Sequence, residues 1–394
     1  MYNQTAYELG SRGSMIRDLS DYADARAAVV GADKVYNFTI GNPSNPTPPE
    51  VTEAVRDLLE NTDPVALHSY TTAIGLLETR QAIADDLNKR FGCQIQPSEL
   101  FIGTGASAEL ASVFQALTFP GAEFLAIAPF FTEYTPLVIS TGSTFRVVPA
   151  DTRHFQIDLA ALEQMLTPAT AGIIINSPNN PAGTVYSEQT LRELAALLTR
   201  KSGEFGRPIY IISDDPYREL VYDGVQVPFI PLIYPNTIVC YSYSKSLSLP
   251  GERIGYVYVP AQAKDGKALY AAVAGAARGM GHICAPSLWQ RVITRCAHLR
   301  PNMENYAKNR KALYEGLLEA GYEVAKPDGA FYLFVKAPGG SSMEFCQAAK
   351  KMDLLVVPGD DFGCPEFFRL CYCVKYQTIL DSLEVFRQLR KDYP

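Results

Sequence analysis

Metal and disulfide chemistry are poorly provided for in this chain of 394 residues. Its four histidines are scattered, and its eight cysteines include no C-x-x-C pair, so a structural zinc site lacks ligands. Cys371 and Cys373 would share one face of a strand, and the cysteines as a group read as buried apolar filler in a reducing cytosol. An excess of basic residues is also missing. The net charge of −7 argues against a nucleic-acid-binding surface. The longest apolar runs, such as ALYAAVAGAA, reach about half the length of a membrane span. The N-terminal stretch MYNQTAYELGSRGSM has no apolar signal core. A cytoplasmic protein with neither membrane nor nucleic-acid partners is expected. There is no internal repeat and no low-complexity segment.

What is present is an ordinary globular balance, 47% hydrophobic and 20% charged, in a chain long enough for two domains. Short β-rich runs lie at 101–103, 124–128, 144–148, 172–176, 208–213, 237–244 and 253–259. Several are continuously apolar, as in strands covered on both faces. Helix-period segments separate many of them: Leu110, Val113, Phe114 and Leu117 after FIGTG, and EQTLRELAALLTR behind the cap candidate Ser187. This alternation predicts a mostly parallel sheet with crossover helices, over residues 46–294. From about 295 onward, charged amphipathic helices and the strands GAFYLFVK, DLLVVPG and FFRLCYCV read as a smaller α+β domain, 295–394. Residues 1–45 form an N-terminal arm whose helix near 17–30 joins that domain.

The most informative stretch is SYSKSLSLPGERIGYV. It sets Lys245 between two strands, with Ser242 three residues before it and Arg253 eight after. Desolvation lowers a lysine's pKa, and a neutral amine condenses with an aldehyde. Ser242 and Arg253 supply a neutral donor and a cationic fork for a phosphate. Together they describe a pocket for pyridoxal 5′-phosphate; a strand end with a solvated lysine is the competing reading. Gly103, Gly105 and Ala108 fit G-x-G-x-x-A, yet FLAIA ends in Pro129 and Phe130 without the acidic residue that nicotinamide dinucleotide binding asks for. Gly105, Ala106 and Ser107 still open a helix whose free N–H groups suit an anion. Phe131 and Tyr134, just past a strand end, could stack on a pyridine ring or pack in the core. NSPNNPAG puts Asn180 on a stiff loop, where it could donate to a phenolate oxygen, although a plain turn explains Asn179–Pro181 as well. In SDDPYREL, Asp214 rather than Asp215 is expected to keep a pyridine nitrogen protonated, with Tyr217 beside Asn180. Arg369, at the start of FFRLCYCV, needs an anionic partner: a substrate carboxylate or an internal ion pair.

The ordered set HSYTTAIGLLETRQAIA, TGASAE, PFFTEY, NSPNNPAG, SDDPY, SKSLSLPGERIGY, GAFYLFV and VVPGDDFGCPEFFRL resembles the class I aminotransferases of pyridoxal-phosphate fold type I, over nearly the whole chain. That resemblance implies a three-layer αβα large domain with a mostly parallel sheet, plus the smaller α+β domain. It implies that Lys245 carries the cofactor as a Schiff base and then acts as general base on Cα, with Asp214 at the ring nitrogen and Asn180 and Tyr217 at the phenolate. Ala106, Ser107, Ser242 and Arg253 match the phosphate cradle, and Phe131 the stacking ring. Arg369 matches the α-carboxylate clamp, with the Gly41 backbone beside it. Tyr70 matches a tyrosine that reaches the partner subunit's phosphate, which implies a homodimer. Arg278, in AARGMGHICAPSLWQ, falls in a region that lines the family's substrate mouth and could pair with the side-chain carboxylate of aspartate or glutamate; a solvated helix face explains it too. Pro216 and Ser107 depart from the family pattern, and a basic residue at 107 would have favoured acidic substrates. The expected activity is ping-pong transfer of an amino group from an L-amino acid, aspartate or similar, to a 2-oxo acid. A carbon–sulfur β-lyase on the same fold is the alternative. A regulator that uses the fold as an effector sensor would carry a basic DNA-binding segment, for which this sequence has no counterpart.

Overall fold

Seven strands build the main sheet in the computed structural model, which describes residues 2–11 and 13–393. They are β1 (Leu100–Gly103), β2 (Glu123–Ile127), β3 (Thr144–Val148), β4 (Thr170–Asn176), β5 (Tyr210–Asp214), β6 (Thr237–Ser242) and β7 (Gly255–Tyr258). Their order is β1-β7-β6-β5-β4-β2-β3. All pairings from β6 to β3 are parallel, whereas β7 runs antiparallel to both neighbours.

The apolar runs of β4 and β5 are buried throughout because helices cover both faces. With a side-chain period of two, Ile173, Ile175 and Ile211 pack beneath the helix Glu188–Phe205, through Leu191, Leu194 and Leu198. Ile174 and Ile212 face the other way, toward Leu110, Val113 and Phe114 of the helix Ala106–Leu117 and Val273 of the helix Gly266–Gly279. Each fully buried aliphatic side chain contributes about 1.5–3 kcal/mol. The result is the expected three-layer arrangement, with the carboxyl ends of β4, β5 and β6 at one edge.

A three-stranded antiparallel sheet, Val357–Pro358, Phe367–Cys371 and Tyr332–Lys336 in that order, packs with the helices Glu304–Glu319 and Tyr376–Lys391. The helix Met15–Val30 joins it: Ala23 packs with Val35 and Leu355, and Arg26 meets Asp353 at 2.7 Å. Tyr36–Asn37 pairs in parallel with Leu354–Leu355.

Four local expectations need correction. The strand expected over 237–244 stops at Ser242, whose hydroxyl accepts from the Ser244 N–H and starts a helical turn, Tyr243–Ser246, that carries Lys245. Arg369 is the middle residue of its strand, not the first, because pairing with Phe334 extends to both sides of it. Arg278 lies in the last turn of a regular helix rather than in weak structure. DLLVVPG yields two dipeptide strands instead of one.

Candidate active site

The strand ends of the main sheet open onto a cavity of about 490 Å³, closed on the far side by Arg369 and Tyr332 of the small domain. Asn176 and Asp214 are the last residues of β4 and β5 and stand opposite each other in register. The Asn176 amide donates to the Asp214 carbonyl at 2.8 Å and accepts from the Asn180 N–H at 2.7 Å. The stiff loop after β4 is thereby anchored to β5, with Asn180 turned to the cavity.

The adjacent aspartates have different fates. Asp215 is spent on structure: it receives Arg218 at 2.6 Å and the Ser213 hydroxyl at 2.5 Å. Asp214 lines the cavity and accepts one hydrogen bond, from Tyr134 Oη at 2.6 Å. Its Oδ1 is buried without a partner among the described residues. Burial pushes its carboxyl up to about 7, against the opposing pull of the Tyr134 hydroxyl. Tyr134 therefore serves through its hydroxyl. Phe131 lines the cavity and meets the Tyr134 ring edge-on, with centroids 5.6 Å apart.

Lys245 Nζ donates to the Gly41 carbonyl at 2.7 Å and lies 5.5 Å from the Phe331 ring centroid. Lys245 is half-buried and burial holds its amine below the usual lysine range, so it is a hydrogen-bonded cavity group rather than a fully solvated strand-end lysine. Gly41 has no room for a side chain, since a Cβ there would run into the Tyr332 hydroxyl. Tyr332 and Tyr217 share a hydrogen bond of 2.9 Å between their hydroxyls, and burial pushes both phenols up.

Arg253 enters from the turn two residues before β7. One of its nitrogens donates to Ser244 Oγ at 3.2 Å and to the Pro250 carbonyl at 2.9 Å. Ser244 Oγ in turn lies 2.7 Å from Ser242 Oγ. The other terminal nitrogen comes so close to Gly105 that a Cβ there would sit 2.5 Å away. Gly105, at φ 93°, thus allows both the turn and the guanidinium's approach. Ala106 and Ser107 are the first two helical residues, whose N–H groups have no intrahelical acceptor.

Arg369 is 2% exposed and has no carboxylate within 4 Å among the described residues, so the internal-ion-pair reading fails. It donates to Asn180 Oδ1 at 3.0 Å and to the Thr39 carbonyl, between the rings of Tyr332 and Phe362. Its Nε is buried without a partner among the described residues.

Twelve of the fourteen expected site residues come together; Tyr70 and Arg278 do not line this cavity, and Tyr70 is 96% exposed. Sequence reasoning missed Asn176, Ser244 and Tyr332, all inside motifs it had singled out. It also missed Arg17, which with Ser14 and Ile16 brings the N-terminal helix to the cavity mouth and carries no local sequence signal.

The family description "aminotransferase class I and II" matches residues 33–385. The chain is 30% identical to an aspartate aminotransferase of Thermotoga maritima, covering 92% of this chain and 93% of that protein. It is also 30% identical to a probable aspartate/prephenate aminotransferase of Thermus aquaticus, covering 91% and 92%. Among solved structures, an amino transferase from Eubacterium rectale superposes with a TM-score of 0.98 at 52% identity, over 100% of this chain and 99% of that one. The aspartate aminotransferase of Thermus thermophilus with maleate gives 0.84 at 25% identity, over 99% and 100%. Sheet order, strand-end cavity and full-length similarity agree, and the chain belongs to the class I and II aminotransferases, a pyridoxal-phosphate-dependent family.

Proposed function

We propose that this aminotransferase draws its amino group from an L-amino acid with an acidic side chain, aspartate or a near relative, with pyridoxal 5′-phosphate held at Lys245 and a 2-oxo acid as acceptor. The observation that carries the proposal is the set of arginines in one cavity. Arg253, Arg369 and Arg17 all line it, and three anionic groups would need them: the cofactor phosphate, the substrate α-carboxylate and a side-chain carboxylate. Arg17 has no carboxylate within 4 Å among the described residues. Relatives named for aspartate and for aspartate/prephenate, and a solved relative holding maleate, support a dicarboxylate. One relative is named for aromatic amino acids instead.

The residues fit the cofactor. Among the described residues Asp214 Oδ1 and Arg369 Nε are buried polar atoms without partners, and the Gly105 turn leaves Arg253 room to approach a phosphate. When bound, pyridoxal phosphate supplies an aldehyde and an electron-withdrawing ring. Arg253, Ser242 and the N–H groups of Ala106 and Ser107 would hold the phosphate. Gly105 makes room for that contact. Phe131 would stack on the ring, Asp214 would keep a proton on its nitrogen, and Asn180 and Tyr217 would donate to its phenolate oxygen. Lys245, its amine pKa lowered, would hold the cofactor and then move the proton at the substrate Cα. Arg369 would fork the α-carboxylate. Gly41 and Thr39 bring the N-terminal segment onto Lys245 and Arg369. Tyr70 and Arg278, away from this cavity, are assigned to the neighbouring subunit's site in a homodimer.

Half-reaction absorbance changes across a panel of amino acids test this reading. Aspartate should convert the loaded enzyme faster than alanine or phenylalanine. Arg17→Ala should lower aspartate turnover by about ten- to a hundredfold, less than a buried charge pair is worth because Arg17 is exposed, and leave alanine nearly unchanged. Arg278→Ala reports in the same way on the second candidate. Equal rates for aspartate and alanine in the wild type would refute the acidic substrate. Pyruvate and ammonia released from cystathionine without any added 2-oxo acid would favour the β-lyase.

A further inference from the structure

Beneath the proposed phosphate cradle lies a carboxyl that the mechanism above does not use. Glu109 is in the first turn of the Ala106–Leu117 helix, 1% exposed. Both of its side-chain oxygens are buried without a hydrogen-bond partner among the described residues. Space for it is made by two glycines, Gly103 and Gly255, which face each other across β1 and β7. A Cβ on Gly103 would fall 2.6 Å from Glu109 Cγ, and one on Gly255 would fall 2.5 Å from Glu109 Oε1. Gly255 is also opposite Ser242, a cradle residue. The Glu109 carboxyl thus rests where three strands end, under the same short segments that present Ser242, Arg253 and Gly105.

We propose that Glu109 is kept uncharged beneath the phosphate cradle, and that its ionisation at alkaline pH weakens binding of the phosphate-bearing cofactor. The groups that face it make the sign clear. Burial first and the neighbouring Asp214 on β5 next hold the Glu109 carboxyl well above its usual range, against the pull of Arg253 and, more weakly, of the nearby Tyr241 and Gly105 backbone. Cys240 on β6 feels Glu109 in turn, its thiol being pushed up by burial first and by Glu109 next. A phosphate dianion taking up Arg253 adds negative charge and leaves less of the arginine's field for Glu109. The loaded form therefore favours the protonated acid more strongly than the empty form does. By linkage, affinity is full while Glu109 is protonated and is lost as pH rises through its value in the empty protein. A neutral acid also leaves Asp214 as the one anion under the ring. Glu109 sets the charge of the cradle without touching the cofactor.

The proposal rests on the cofactor site described above. The test uses the full-length enzyme and pyridoxamine 5′-phosphate, which has no aldehyde to bond Lys245. Its dissociation constant is measured by equilibrium dialysis from pH 7.5 to 10 for wild type, Glu109→Gln and Glu109→Asp. Groups on the ligand and on Lys245 titrate in all three, so the ratio of wild type to Gln isolates Glu109 together with its coupling to Asp214. Wild-type affinity should fall at least about tenfold more than that of the Gln variant, a one-unit difference in Glu109 pKa between loaded and empty forms. The Asp variant, which keeps a carboxyl, should retain a slope. Parallel profiles for wild type and Gln would overturn the proposal, as would a Gln variant weakened equally at every pH. If the Gln variant does not fold, a wild-type affinity that is flat over this range overturns it, and a fall that the Asp variant shares supports it. No binding to the wild type at any pH would instead overturn the cofactor reading and remove the basis for Glu109's role.

Discussion

Replacing Asp214 by asparagine should make the cofactor-free protein more stable while stripping it of activity. Burial raises the carboxyl from its ordinary 3.8 to about 7. At about 1.4 kcal/mol per tenfold change in proton affinity, keeping an ionised Asp214 in the empty site costs about 4 kcal/mol. A carboxyl with a raised folded-state pKa binds more protons folded than unfolded, so stability falls as pH climbs from 3.8 to about 7. The penalty is absent below that window and complete above it. Asparagine keeps an acceptor for the Tyr134 hydroxyl and never ionises. At pH 8 the stripped Asp214→Asn protein should gain about 4 kcal/mol, a rise in Tm on the order of 5 °C for a chain of this length. At pH 5 the gain should shrink to less than half. Asp215→Asn should do the opposite, losing about 3–5 kcal/mol, because it leaves Arg218 buried without its partner. Turnover by Asp214→Asn should drop at least on the order of 10²–10³-fold. Thermal melts of cofactor-free protein against pH, read by circular dichroism, measure all of this. An Asp214→Asn protein no more stable than wild type at pH 8, or one whose advantage does not shrink toward pH 5, would refute the argument.

Two further outcomes are expected. Borohydride reduction of the loaded enzyme followed by peptide mapping should mark Lys245; a mark on another lysine, with Lys245→Ala still active, would sink that assignment. Mixing inactive Lys245→Ala with an inactive Tyr70→Ala variant should restore part of the activity through hybrid dimers, since each hybrid holds one intact site. Absence of complementation, with subunit exchange demonstrated, would assign Tyr70 to its own subunit or to no site.

The alternation of strands and helices was legible because most runs, such as 172–176 within Thr170–Asn176, are continuous, buried and bounded by turns. The site was legible where a chemical residue follows such a run, as Asp214 and Asn180 do. Legibility failed where a local polar contact overrode a run: TIVCYSYS keeps its β-rich composition past Ser242, and the bond from the Ser244 N–H to the Ser242 hydroxyl ends the strand. It failed again where the partner is distant in sequence. Nothing near Arg17 reveals that a helix pinned by Arg26 to Asp353 reaches the cavity. Glu109 in TGASAE looks like an ordinary exposed helix glutamate until the facing glycines, far apart in sequence, are seen to make its niche. The seven residues 253–259 read as one strand, but only Gly255–Tyr258 is one, because Arg253 takes a left-handed backbone conformation, φ 49°, to reach the cradle.

The antiparallel course of β7 has a consequence for how this site tolerates change. Because β7 returns beside β6, Gly255 lies opposite Ser242, and the chain comes back to the edge it has just left. The proposed covalent anchor, Lys245, and the proposed phosphate anchor, Arg253, are therefore wired by one short connection. A parallel neighbour would have needed a crossover of a dozen residues or more. The length of the segment 246–252 is then as much a part of the site as the identity of either residue. Inserting or deleting a residue there would alter the spacing between the two anchors while leaving both side chains in place, a class of damage that point substitutions do not sample.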